Sequence, residues 1–292
     1  MMKANVKKVA AVLNPPAPHM VGDGFRVHNF FPSGYRLNMS PFFMLDYNAK
    51  IEFSARNEPR GVGVHPHRGF ETVTIAYHGA VAHHDSAGNS GTIYPGDVQW
   101  MTAASGILHK EYHEENYSKK GGPFQMVQLW VNLPAQYKMS TPKYQGVKQS
   151  DMQKLTLPNE QGIIEVIAGD YQGTKGSVTT FSPIEMYNAR LNKGAQTTFS
   201  FPANYNTGFV VIEGSIKVNG TEQASTNQMV YFENEGENIE LEALENSIVL
   251  ILSGEPINEP IAAYGPFLMN KPEEIQQAIA DYNEGKFGYL ED

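Results

Sequence analysis

The stretch GVHPHRG places His65 and His67 one residue apart around Pro66. On an extended strand successive side chains point to opposite faces, so the two imidazoles share a face and the proline turns away. Further along, GILHKEYHEE repeats the spacing with His109 and Glu111. Two such pairs on strands of one small barrel could converge on a point. Three neutral imidazoles and one carboxylate there are ligands suited to Fe(II), Mn(II), Co(II), Ni(II), Cu(II) or Zn(II). The chain has no cysteine, so thiolate metal sites, disulfides and cysteine nucleophiles are excluded, and a metal is held by nitrogen and oxygen alone. Clustering by itself is weak evidence, because His83 and His84 stand side by side in the same region. The carboxylate in the second pair strengthens the metal reading.

These pairs need strands to carry them. With 292 residues, 41% of them apolar, the chain can build two ordinary domains or one large β-rich one. Its 27 Gly, 18 Pro, 15 Tyr and 15 Phe suit many short strands joined by tight turns. The first segment reads as strands at GFRVHNFF, FETVTIAYHG, AVAHHDS, GTIYPGDVQWMTA, GILHKEYHEE and FQMVQLWVNL, broken by DSAGNSG and SKKGGP. LPAQYKMSTPKYQ then reads as a linker with one short helix. The β pattern resumes at IIEVIAG and runs through VTTFSPIEMYNARL, GFVVIEGSIKVNG, QMVYFENEG, NIELEA and SIVLILSGEP in a similar order. That rhythm predicts a duplicated β-barrel, with one domain over residues 1–140 and a second over 141–292. NKPEEIQQAIADYNEGKFG is the one clear helix: Pro272 lies in its first turn, Glu273 and Glu274 face the positive end of its dipole, and Ile275, Ala278, Ile279 and Tyr282 form an apolar stripe. Its expected role is to pack against a barrel.

The net charge of −9 and the lack of any Lys/Arg run argue against direct nucleic-acid binding. The N-terminus offers only the short apolar stretch VAAVL before NPP, which does not make a signal peptide, and no apolar run could span a bilayer. A soluble, cytoplasmic protein is the expectation.

HPHRGFETVT, GTIYPGDVQWMTAASGILHKE and VQLWVNLP together resemble the signature of the pirin family, a bicupin group, and the end of the chain from SGEPINEP onward resembles that family's tail. The resemblance implies an all-β fold of two cupin (jelly-roll) barrels with a short C-terminal helix. It implies a mononuclear non-haem metal, usually iron as Fe(II), held in the N-terminal cupin by His65, His67, His109 and Glu111, and no metal site in the C-terminal cupin. That agrees with the lack of histidine from GFVVIEG onward. In many cupins the glutamate after the first histidine pair, here Glu71, is the carboxylate ligand. The resemblance gives that role to Glu111 and leaves Glu71 a supporting group.

Pirins resemble quercetin 2,3-dioxygenases in site layout, so the resemblance implies a flavonol and O2 as substrates, with Glu111 as both ligand and base. It equally implies an alternative: an iron-dependent, redox-sensing regulator that binds a transcription factor or a metabolic enzyme. Other residues are expected to matter less. His113 is two beyond Glu111 and reaches the site only if its strand continues. His78, His83 and His84 are expected to be solvated around a hairpin, and Arg68 to form a structural ion pair. Trp100 and Met101 could line the cavity or fill the core.

Overall fold

The computed structural model describes residues 5–291. It divides into two compact units. One comprises Pro16–Leu37, Phe42–Ser150 and the stretch from Ile257 onward; the other comprises the chain up to Pro15, Asn38–Pro41 and Asp151–Pro256.

The unit that carries all nine histidines pairs its strands antiparallel in two main sheets, with a third, two-stranded one formed by Ala262–Tyr264 and Phe267–Met269. The larger has seven strands in the spatial order Lys143–Val147, Val98–Thr102, Phe70–His78, Gly122–Asn132, Phe42–Phe53, Phe25–Phe31 and His19–Val21. The smaller has four, in the order Gly61–His67, Ile107–His113, Val81–Asp85 and Ser90–Ile93. The second unit repeats the recipe with its own seven-stranded and four-stranded sheets. This is the duplicated all-β barrel that the strand rhythm predicts, in the two-cupin form that the resemblance implies. The interior of the second barrel is packed with rings, Tyr171, Tyr187, Phe199, Phe209 and Phe232 among them, all buried in one apolar cluster.

A single cut at residue 140 does not describe these units. Val9–Leu13 pairs with Met229–Phe232 and so belongs to the second barrel's sheet. The C-terminal segment, expected in the second domain, folds with the first. Packing explains why: Ile275 and Ala278 of the helix Pro272–Asn283 are buried with Leu108, Phe267, Met269 and Phe287, and Val64 and Ile279 pack against them. Val64 alternates with His65, and Leu108 with His109, so the helix covers the backs of the strands whose other faces carry the histidines. Tyr282, the last residue of the expected stripe, is exposed.

Three further elements differ from the sequence reading. The linker holds a 3-10 turn, Ala135–Tyr137, and then the strand Lys143–Val147, which pairs with Val98–Thr102. The tail of GILHKEYHEE leaves the strand for a short helix, Glu115–Lys120, whose start is capped by Glu114 Oε2 accepting from Tyr117 N at 2.9 Å. Phe42–Phe53 is a long strand that the sequence reading passed over. Among the described residues no helix is long and apolar enough to cross a membrane.

Candidate metal centre

The Gly61–His67 and Ile107–His113 strands are antiparallel neighbours with His109 directly across from His65. The ladder then slips: Glu111 lies across from Val62, so the first strand carries one extra residue between these pairs, a β-bulge. His65, His67 and His109 each bring a ring nitrogen to one place, all within 4.8 Å of one another. Ring centroids lie 4.1 Å apart for His65 and His109, 4.6 Å for His67 and His109, and 4.8 Å for His65 and His67.

Hydrogen bonds set the tautomers. A carbonyl only accepts, so His65 Nδ1 donates to Gly63 O at 2.8 Å and His67 Nδ1 to Pro266 O at 3.4 Å, leaving each Nε2 with its lone pair. His109 is buried with neither ring nitrogen hydrogen-bonded. Burial holds His67 and His109 well below the ordinary histidine range, so both are neutral. A buried imidazole with two unsatisfied nitrogens is costly, and a metal ion held by the three imidazoles would satisfy one of them. The donor set fits a divalent transition metal.

Glu111 faces the same cavity but stands outside that group of three. Gln128 Nε2 donates to its Oε2 at 2.8 Å, and Thr74 Oγ1 to its Oε1 at 3.4 Å. Burial pushes its carboxyl upward, against these two donors. Glu71 sits on the opposite face of its strand from Thr74, is fully buried, and accepts from Thr102 Oγ1 at 2.7 Å. Burial lifts it to about 7. It cannot reach the cavity, in keeping with a supporting role.

The remaining expectations divide. Arg68 does form a buried ion pair, Nη1 to Asp281 Oδ2 at 2.8 Å, and lies over the Phe287 ring. His113 is not with the triad: its Nε2 donates to Gly24 O at 2.8 Å and its ring stacks on Phe124. His83 is not solvated. It is 2% exposed, stacks on Tyr144 and shares a hydrogen bond between Nε2 and that hydroxyl at 2.8 Å, whereas His84 is exposed as expected. Trp100 and Met101 fill the core, Met101 beside Ala103 and Ile107.

His65, His67 and Glu111 line a cavity of about 450 Å³ whose exposed surface is mainly apolar, with Phe25, Val27, Met44, Met126 and Trp130 among its walls. Trp130 stacks on Phe70 with centroids 4.2 Å apart. Sequence reasoning missed Gln128, Thr74 and Pro266. Gln128 was on view inside VQLWVNLP, where a polar side chain alternates with apolar ones on a central strand.

Comparison with known proteins agrees with this layout. The Pirin family profile matches residues 24–131, and that of the Pirin C-terminal cupin domain matches 186–288. The chain is 45% identical over 97% of its length, and 99% of the relative's, to a Pseudomonas aeruginosa protein named "Putative quercetin 2,3-dioxygenase". It is 36% identical to Pirin-like protein 2 of Arabidopsis thaliana over 97% of this chain and 85% of that one. The crystal structure of quercetin 2,3-dioxygenase from Acinetobacter baumannii superposes with a TM-score of 0.92 at 46% identity, covering 98% of this chain and all of its own. With both barrels matched and relatives aligned nearly end to end, the chain belongs to the pirin family.

Proposed function

We propose that this pirin is a quercetin 2,3-dioxygenase-type oxygenase, using O2 to open the central ring of a flavonol with release of carbon monoxide at a mononuclear iron(II) site. The observation that carries this reading is the imidazole triad beside a largely apolar cavity of about 450 Å³, a size and lining suited to a flat three-ring molecule. The names borne by the Pseudomonas relative and the Acinetobacter structure support it.

His65, His67 and His109 hold the metal, with Glu111 as the fourth ligand. When bound, the metal supplies Lewis acidity and redox contact between the flavonol and O2. Glu111 takes the proton as the 3-hydroxyl O–H bond breaks. Gln128 and Thr74 fix the direction in which its carboxylate points. Trp130, backed by the stacked Phe70 ring, gives the substrate a flat apolar wall, and the apolar part of the cavity lining limits water at the reacting atoms. Both oxygen atoms of O2 enter the products, so no further reductant is needed.

The test is to determine the metal in the purified protein and follow quercetin absorbance and carbon monoxide release in air. Metal-dependent loss of quercetin that disappears in His65→Ala and Glu111→Ala is the expected result. A full metal complement without turnover would overturn the proposal.

A further inference from the structure

The large sheet carries a polar row across the cavity. Asn29 lies directly across from Asp46, Asp46 from Gln128, and Gln128 from Thr74, on four successive strands. Residues directly across a ladder share a face, so all four point the same way. Gln128 and Thr74, at one end, hold Glu111. Asp46, one strand beyond Gln128 and therefore about 5 Å further along, belongs to no part of the mechanism above.

Its setting is that of a built acceptor. Asp46 is 7% exposed and lines the cavity. Asn29 Oδ1 accepts from Ser33 N at 2.8 Å, which fixes the amide so that Nδ2 donates to Asp46 Oδ1 at 2.7 Å. The other carboxylate oxygen has no hydrogen-bond donor among the described residues. Apolar side chains flank the row on both sides: Met44 and Trp130, two residues along one way, and Met126 the other. A flat apolar ligand in this slot meets two polar points, the triad with Glu111 at one and Asp46 at the other.

Building on the flavonol reading, we propose that Asp46, positioned by Asn29, is a specificity-determining residue that binds a hydroxyl of the substrate remote from the one directed at the His65, His67 and His109 triad. The ligand class it selects is a planar polyhydroxylated aromatic. The second Asp46 oxygen, left facing a ring without a hydroxyl, gains no donor, so such a ligand is disfavoured.

Calorimetric titration of the metal-loaded protein under anaerobic conditions tests this with quercetin and with 3-hydroxyflavone, which keeps only the hydroxyl at position 3. Wild type is expected to bind quercetin about tenfold or more tightly than 3-hydroxyflavone, the scale of a hydrogen bond to a charged group. Asp46→Ala should erase that preference while metal content is unchanged, and Asp46→Asn should shrink it. Should Asp46→Ala fail to fold, Asp46→Asn and Asn29→Ala carry the same comparison. A preference that persists in folded variants overturns the assignment of Asp46. Equal binding of both ligands by wild type also overturns it but leaves the flavonol reading standing, whereas binding of neither removes both.

Discussion

Arg68 and Asp281 lie 213 residues apart in sequence, yet their side chains meet in a buried ion pair at 2.8 Å. Arg68 follows His67 directly, and Asp281 sits on the C-terminal helix. Asp281 also accepts from Lys286 Nζ at 2.9 Å and Gln277 Nε2 at 2.8 Å, and these three donors hold its carboxyl far below the ordinary range. The tail is thereby tied to the residue beside a candidate metal ligand.

Removing either partner strands the other. Asp281→Ala leaves a buried guanidinium facing Phe287 and is expected to cost about 3–5 kcal/mol. Urea denaturation measures this, and metal content measured on the folded protein should fall with it. An unchanged denaturation midpoint would show that the Arg68–Asp281 pair adds nothing to stability.

His109→Ala removes a candidate ligand and is expected to yield protein without stoichiometric metal after dialysis, while His113→Phe, which keeps the stack on Phe124, retains it. Elemental analysis separates the two. For wild type, a chelator should lower the melting temperature, because binding to the folded state alone adds about 2.7 kcal/mol at a free metal concentration 100 times Kd.

Acid should destabilise the fold through His83. Burial lowers this group from 6.5 to about 4, and its Nε2 is already engaged with the Tyr144 hydroxyl. Between those values the unfolded chain takes up a proton that the folded chain refuses, so stability falls as pH drops across the window. The loss is about 2–3 kcal/mol at most. His83→Gln, which keeps an acceptor for Tyr144, is expected to flatten this part of a stability profile measured from pH 7 to 4.

Lys138 ties Gly69, the residue after Arg68, to Leu268 in the tail. Its buried Nζ donates to Gly69 O and Asn132 Oδ1 at 2.6 Å and to Leu268 O at 2.8 Å. Lys138→Met orphans all three acceptors and should cost about 2–4 kcal/mol. Gly69 meets the tail from the other side: its φ is +89°, and a Cβ there would stand 2.0 Å from Leu268 O. Gly69→Ala is therefore expected to be destabilising and to expose the segment after Ile257 to limited proteolysis; resistance equal to wild type would refute that.

Alternation along a strand is local, so the sequence alone sufficed to put His65 with His67, and His109 with Glu111, on common faces. The repeated strand rhythm likewise revealed two barrels, and the helix stripe was legible from its spacing. What the strands pair with is not local. Only the tertiary structure set His109 across from His65, slipped the ladder before Glu111, and brought Gln128 and Thr74 to that carboxylate. Burial of His83 depended on Tyr144, which lies on a strand hidden in an apparent linker. The exchange of terminal segments between the units also lay beyond periodicity: the Val9–Leu13 strand completes one sheet, and the tail covers the other unit, because the apolar surfaces that receive them are made by strands distant in sequence. Chemistry was written in residue types and spacing, whereas the position of each reacting group was decided by which distant strands and segments pack together.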